Sequence, residues 1–364
     1  MRPATRSAFA RVGAGMTVGL LAVSSVFVPT VSASSGIRVL ADGLNNPRGI
    51  AISSSGRILV AETGTGKVLA IRSGSVRTVV SGLPSVTSPE GETTGPVNVA
   101  VRDSKVVVAI GGGPQNVDAR FDSVLRVKGH TASVVADIQA YRNTHPDTTD
   151  LDQPPNPTDS NAYGIAAISR GRTLVTDAAG NELDLVDSNG TIHTVAKFPN
   201  EVVSTAHLGD ATLPAMLPAE AVPTTVAVGR DGYWYVGELK GFPFTPGESR
   251  IWRIAPSARN VVCDETAKHG PCTVFADGLT SITGMDFGPD GSLYVVEIVK
   301  AGVANLFAGG DTTGALIRIK HGHRTELAAG KLHAPDDVAV SQSGHVYVTN
   351  LSVSADGGQV LRIR

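Results

Sequence analysis

Few residues of the kinds that advertise chemistry occur in this chain. Of 364 residues only two are Cys, four are Met and two are Trp, and aromatic residues make up 5%. None of the nine His stands in an H-E-x-x-H spacing or at a paired-ligand spacing, and "HGH" at 321–323 reads as a tight solvated turn. No Ser sits in a G-x-S-x-G elbow, and "GGGP" at 111–114 follows a strand pattern without opening a helix. These absences exclude the common zinc hydrolases, nucleophile-elbow esterases and phosphate-loop enzymes. Beyond the N-terminus no apolar run is long enough to span a bilayer.

The N-terminus is different. Arg2, Arg6 and Arg11 precede a 17-residue apolar run from Val12 to Val28, followed by "PTVSA". That layout predicts a secretory signal peptide over 1–33, with cleavage after Ala33 and a single mature domain over 34–364; a retained membrane anchor is the alternative. Residues 1–33 hold three Arg and no acid, which leaves 28 basic and 33 acidic residues in the mature chain and a formal charge of −5. Such a balance is no footprint for nucleic acid. The mature protein is expected outside the cell, as a soluble monomer with no stable membrane span. In that compartment Cys263 and Cys272, in "CDETAKHGPC", predict a disulfide stapling one hairpin.

What the chain has in quantity is repetition. "GIAISSSGRILVAE", "VNVAVRDSKVVVAI", "YGIAAISRGRTLVTD", "TVAVGRDGYWYVGE", "GMDFGPDGSLYVVE" and "DVAVSQSGHVYVTN" each read as strand, tight turn, strand. A second hairpin follows each, except that the last unit stops one strand short at Arg364. Four strands repeated six times predict an all-β, six-bladed β-propeller of antiparallel blades. The orphan strand "GIRVLADGL" near the mature N-terminus is expected to join the last blade and close the ring. Strands alternate direction, so the first-to-second and third-to-fourth turns share one face. There the turns are minimal, apart from the loop carrying the two cysteines. The long insertions, at 85–95, 111–122, 138–163, 198–223, 239–249 and 298–314, all fall on the other face. Loops of that length concentrate where partners bind.

"DSNAYGIAAI", "VPTTVAVGRDGYWYVGELKGFPFTPGESRIWRI" and "TTGALIRI" together resemble the ScyD/ScyE family, exported β-propeller proteins named for genes clustered with scytonemin biosynthesis. The likeness runs over essentially the whole mature chain, and Ala162 stands where the family pattern has Pro. The resemblance implies export and the propeller fold; it brings no catalytic residues. More distant six-bladed relatives include calcium-dependent lactonases and NHL-repeat binding modules, and fold alone does not choose between them.

Candidate residues follow from the fold. The entry of each first strand should look into the mouth of the central channel, which brings together Arg48, Asn98, Tyr163, Thr225, Asp336 and Asp337 as candidate ligand-binding residues. A calcium ion there would use Asn98, Asp336 and Asp337, although that set is short of the six to eight oxygens calcium takes and Arg48 opposes it. The bland alternative is an Arg48–Asp336 pair across the ring closure. The second-strand ends Glu62, Asp177, Glu238, Glu297 and Asn350 read as caps on loop backbone N–H groups, not as a catalytic carboxylate pair. Phe242 and Phe244 in "GFPFTPG" are either an aromatic binding platform or packing for their loop. The expected partner is thus an unknown small molecule or protein held on the loop-rich face; the alternatives are a lactonase-type hydrolase and a protein-interaction module.

Overall fold

The structure is a computed structural model in which residues 36–364 are described, except Ser73 and Glu90; the segment 1–33 and its cleavage point lie outside the described residues. Buried apolar runs and tight turns set the architecture. The second strands Ile58–Glu62, Thr173–Asp177, Trp234–Glu238 and Leu293–Glu297 are buried at every position, because neighbouring blades cover both faces of each sheet. Outer strands such as Ser75–Val80 and His323–Leu327 are mostly exposed. In the turns "SSSG", "GRDG", "GPDG" and "SQSG" the last residue, Gly56, Gly232, Gly291 or Gly344, has φ between 75° and 82°, a region closed to most side chains.

Six antiparallel sheets form the ring. Blade 1 runs through Pro47–Ile52, Ile58–Glu62, Lys67–Arg72 and Ser75–Val80. Blade 2 is Pro96–Arg102, Lys105–Ile110, Ser123–Lys128 and Thr131–Asp137. Blade 3 begins at Ala162–Ala167 and ends at Ile192–Lys197; blade 4 spans Pro223–Val228 to Cys272–Leu279; blade 5 spans Ile282–Phe287 to His323–Leu327. Blade 6 contains Val338–Val340, Val346–Asn350 and Gly358–Ile363, and its outer strand is Ile37–Leu44, paired antiparallel with the last strand from Ile37 opposite Ile363 to Leu44 opposite Gly358. The ring is closed by the strand expected from the sequence. The core lies between blades, mostly in clusters that draw on two neighbours, as where Leu59 and Val68 of blade 1 meet Val99 and Val108 of blade 2; one cluster instead runs from blades 2 and 3 into the loops of blades 4 and 5.

Two features depart from the sequence reading. The long loops carry structure of their own: hairpins Val86–Thr87 with Thr93–Thr94 and Glu201–Ser204 with Met216–Ala219, and helices Ile138–Arg142 and Val303–Phe307. The cysteine loop also does more than close one hairpin. Its Val261–Val262 segment adds a fifth strand to blade 3, parallel to Ile192–Lys197, before Cys263 bonds to Cys272 at the start of blade 4's outer strand. The disulfide therefore holds the loop of one blade against the edge of the next, a contact too short for any periodicity to reveal.

Chain entropy for a loop with a sequence separation of nine gives the disulfide about 2.7 kcal/mol. The double substitution Cys263→Ser with Cys272→Ser is expected to lower the free energy of denaturant unfolding by about that amount. It should also speed amide exchange at Val261 and Val262. An unchanged exchange rate there would show that blade 3 holds this strand without the bond.

Candidate functional site

The axis of the ring is crowded, and its crowding is ordered. At equivalent positions of blades 1 to 6 stand Gly49, Asn98, Gly164, Thr225, Gly284 and Asp337. A Cβ on Gly49 would lie 2.5 Å from Asn98 Oδ1, one on Gly164 2.6 Å from the Thr225 Cα, and one on Gly284 2.5 Å from the Asp337 Cα. Glycine thus alternates with a larger polar residue around the channel, and each glycine lets the next blade's backbone move in. The larger residues then bond across the seam. Asp337 Oδ2 accepts from the Ile50 N–H of blade 1 at 3.0 Å, while its Oδ1 accepts from Val338 N–H at 2.8 Å. Asp286 Oδ2 accepts from Val340 N–H at 2.7 Å, and Thr224 Oγ1 donates to the Ile282 carbonyl at 2.6 Å.

Above this ring, Arg48, Tyr163 and Asp336 meet from blades 1, 3 and 6. Arg48 Nη1 donates to the Tyr163 hydroxyl at 3.0 Å, and that hydroxyl donates to Asp336 Oδ1 at 3.1 Å. The phenol links the arginine to the aspartate across the channel mouth, where the sequence suggested those two alone. Burial pushes the Asp336 carboxyl up to about 6 against the opposing pull of Arg48, and drives the Tyr163 phenol up as well. All six predicted mouth residues are buried: Arg48, Asn98, Tyr163, Thr225, Asp336 and Asp337. Their oxygens are largely engaged within the protein. Both Asp337 oxygens and Asn98 Oδ1 already accept backbone N–H groups, and Arg48 faces Asp336. Among the described residues no three His, Cys, Asp or Glu side chains are placed to share a metal ion.

The mouth is roofed. Phe244, Val222, Leu239, Ile298, Val299 and Val303 come from the loops of blades 3 to 5 and pack with Tyr163 in one apolar cluster. Phe244 is 6% exposed and meets Phe242 and Phe307 edge to face at 5.9 and 5.8 Å. The aromatic platform considered for Phe242 and Phe244 is instead the packing that seats the roof. Val222, a β-branched residue, holds φ at 51° at the entry of blade 4, as Asn46, Ser281 and Ala334 do with positive φ in other blades.

Second-strand ends fasten each blade entry to its own sheet. Glu62, Asp177, Glu297 and Asn350 accept from the backbone N–H of Asn45, Asn161, Thr280 and His333 at 2.8–3.1 Å. Glu238 breaks the pattern: it accepts from Trp252 Nε1 and pairs with Lys240 at 3.0 Å.

Sequence reasoning missed the ion pairs that organise the loop-rich face. Arg142, on the helix after blade 2, is fully buried and reaches Asp177 at 3.0 Å and Glu182 at 2.6 Å in blade 3. Burial and the adjacent Glu182 push the neighbouring Asp184 carboxyl well up, because three carboxyls share this enclosed site with one arginine. Lys240, also fully buried, joins Glu238 to Glu201 of the Glu201–Ser204 hairpin at 3.1 Å, and Arg250 joins Glu201 to Glu265 of the cysteine loop at 2.5 and 2.7 Å. Asn181 is a third hub: its Nδ2 donates to Asp147 at 3.0 Å and Glu220 at 3.1 Å, and its Oδ1 accepts Val222 N–H at 3.0 Å. Burial, with Asp152 and Asp147 nearby, lifts Glu220 to about 7. Between the two loops tied by Arg250 lies a cleft of about 260 Å³ walled by Pro199, Asn200, Glu201, Asp264, Glu265 and the Cys263 end of the disulfide.

No family model and no curated protein matches this chain. Solved structures do. A streptogramin B lyase matches at 14% identity and TM-score 0.50, over 90% of this chain and 97% of that one. A putative oxidoreductase (glucose dehydrogenase) from a Thermus species matches at 18% and 0.55, over 90% and 99%. The PQQ-bound aldose sugar dehydrogenase of Streptomyces coelicolor matches at 14% and 0.52, over 90% and 97%. At such identities they establish the β-propeller and nothing about chemistry.

Two outcomes follow from the axis. Gly49→Ala, Gly164→Ala and Gly284→Ala should each cost about 1–3 kcal/mol by overpacking against a neighbouring backbone, measured by denaturant unfolding; a loss near zero in all three would mean the inner strands have room to part. Asp336 and Asp286 both titrate near 6 in the fold, above the ordinary 3.8. The native state therefore keeps their protons to higher pH than the unfolded chain does. The stability they contribute is complete below about 3.8 and is lost as pH rises through about 6. The thermal midpoint should be higher at pH 5 than at pH 7.5, with a smaller difference in Asp336→Asn. A flat profile would contradict this.

Proposed function

We propose that this chain is an exported binding propeller of the ScyD/ScyE type, which holds a small polar ligand at the rim of its loop-rich face, in the cleft between the Glu201 hairpin and the cysteine loop, which leaves the tight-turn face of blade 4 and runs along the edge of blade 3. The observation that carries the reading is the fixing of those loops by charge. Arg250, Lys240, Glu201, Glu238 and Glu265 form one network that joins blade 4, the hairpin and the cysteine loop, with Lys240 and Glu238 fully buried. Buried ion pairs are a costly way to gain stability, and their best-attested use is to specify one arrangement. Fixed walls lower the ordering cost of binding. Glu201, Asp264 and Glu265 make the cleft richer in acceptors than in donors, which suits a ligand carrying hydroxyl, amino or guanidino groups. The disulfide supports export, and the ScyD/ScyE resemblance supports the fold and the compartment.

A lactonase-type reading has less support, because the oxygens it would give to calcium accept backbone N–H groups and the channel mouth lies under an apolar roof. A protein partner is the second reading. The Glu201–Ser204 and Met216–Ala219 hairpin exposes Val202 by 66% and Met216 by 51%, on the same face of its two strands.

Thermal-shift screening of polyols, sugars and amines against residues 34–364 separates these readings. A compound that raises the midpoint of the wild-type protein but not of Glu265→Gln or Asp264→Asn supports the cleft, since a ligand of the folded form stabilises it by mass action. A shift kept in both variants and lost in Arg48→Gln would move the site to the channel. A rise with millimolar calcium that a chelator reverses would reinstate the metal-dependent reading.

A further inference from the structure

We propose that the face with the tight turns is a docking surface for an anionic phospholipid bilayer, so that the propeller lies on a membrane with its loop-rich face turned away. The mature chain is acidic overall, yet its charges are sorted between the two faces. On the tight-turn face, blades 1 to 3 present Arg57, Arg102, Lys105, Lys128, Arg170 and Arg172, of which Arg102, Lys105, Lys128 and Arg170 are exposed. In the same turns the acids are Asp103 and Asp187. Most acids of these blades lie toward the opposite face, at strand ends and in the long loops, as Glu62, Asp118, Asp137, Asp147 and Asp177 do.

The basic residues are not there to hold the fold. Among the described residues, one ion pair involves these six, Arg102 with Asp103 at 3.9 Å, and its side chains are 51% and 85% exposed. Such a pair contributes almost nothing. Turns of blades 4 and 5 are built otherwise: Asp231 pairs with Arg253 at 2.9 Å, and Asp290 pairs with Arg318 at 2.6 Å and Lys320 at 2.8 Å. Charge on that side is neutralised locally, and on the side of blades 1 to 3 it is left open. Like charges even stand opposite one another across strands, Arg102 facing Lys105 and, in blade 6, Arg38 facing Arg362. Opposed like charges are destabilising in a sheet, and an external anion would offset that cost.

Two observations select a bilayer over a soluble polyanion. The turns of blades 1 to 3 on this face are all short, which leaves a broad basic surface instead of a groove that could thread a polymer; the one long loop of the face, that carrying the cysteines, belongs to blade 4. The chain also enters the fold on this face, at Gly36, whose carbonyl accepts from Arg364 N–H at 2.6 Å beside Arg38 and Arg362. The apolar run Val12–Val28, expected to serve as the export signal, precedes Gly36, so the expected export segment leads into the propeller at its basic side before cleavage. A cleft of about 240 Å³ between blades 2, 3 and 4, lined by Arg102, Arg172, Val228 and Trp234, offers one place for a phosphate headgroup.

Vesicle co-sedimentation tests the proposal with residues 34–364, which include every described strand of the closed ring. Phosphatidylcholine vesicles containing phosphatidylglycerol should retain the protein at low salt and release it as salt rises; phosphatidylcholine alone should not retain it. Each basic residue near an anionic surface contributes about fivefold to partitioning, so the variant combining Arg102→Gln, Lys105→Gln, Arg170→Gln and Arg172→Gln should bind about a hundredfold or more weakly. Its far-ultraviolet circular dichroism should match wild type and its thermal midpoint should be no lower, because these side chains make no ion pair beyond the exposed Arg102–Asp103 contact and the Arg102–Lys105 repulsion is removed. Equal retention on both vesicle types, a quadruple variant that binds as well as wild type, or capture by dextran sulfate without capture by anionic vesicles would each overturn the proposal. Should the variant fold poorly, the wild-type salt release and the lipid comparison decide it unaided.

Discussion

Everything else in this propeller rests on how closely its inner strands approach the axis. Six blades can close only if adjacent first strands pack backbone against side chain, and the alternation of Gly49, Gly164 and Gly284 with Asn98, Thr225 and Asp337 is the device that allows it. Once the strands are that close their backbones have donors facing inward with no room for water, and each needs an acceptor from next door. Asp337 and Asp286 supply two, at the seams from blade 6 to blade 1 and from blade 5 to blade 6. The channel carboxylates are thus accounted for by backbone satisfaction before any ligand is invoked. Their raised titration is the consequence of burying acids against neighbouring strands, and it is tolerated because the alternative is an unpaired N–H in the same place.

With the axis closed, the long insertions hold most of the polar clusters that lie outside the blades. Loops of such length ordinarily carry mobility with them, and here it is opposed by pairing buried cations with carboxylates from different elements. Arg142 ties the helix after blade 2 to blade 3, and Lys240 ties blade 4 to the Glu201 hairpin. The cysteine loop is held three ways, by Arg250, by the disulfide and by the Val261–Val262 pairing. These tethers cross between chain segments remote in sequence, and they join the insertions at 138–163, 198–223 and 239–249 and the cysteine loop to the blades beside the cleft.

The fold was legible because its cause is periodic. A strand buried on both sides is apolar over most of its length, a tight turn needs a residue at positive φ, and the strand–turn–strand outline recurs six times, with glycine in every first turn but that of blade 2. The closing strand was legible for the same reason, since a unit lacking its fourth strand leaves "GIRVLADGL" as the one available partner. The site was less so. Arg142 in "YRNTHPDTTD" and Lys240 in "GELKGF" look like ordinary loop cations, and only the fold shows that they are enclosed. The positions that meet at the channel mouth could be named from the repeat, but the part played by Tyr163 could not. Its hydroxyl joins Arg48 to Asp336 because three blades that are not adjacent in sequence meet at one point. The positive φ at Val222 has no signal at all in its side chain. Pairwise contacts between remote residues have no period, and that is the boundary of what pattern reading reaches.

Polarity between the faces follows from the same need to satisfy backbone donors. Acids are used where long loops and strand entries expose those donors, as at Asn45, Asn161 and Thr280. Tight turns close their own hydrogen bonds, as Gly56 does to Ser53, and have no such need of carboxylates. That explains why the tight-turn face is poor in acid; it does not explain why blades 1 to 3 are rich in arginine there, when glutamine or serine would fill an exposed turn without electrostatic repulsion. Blades 4 and 5 show that the same turns can be built with balancing aspartates. The unbalanced sector is therefore a property of the surface and not of the turn, and it lies on the side where the chain joins the ring.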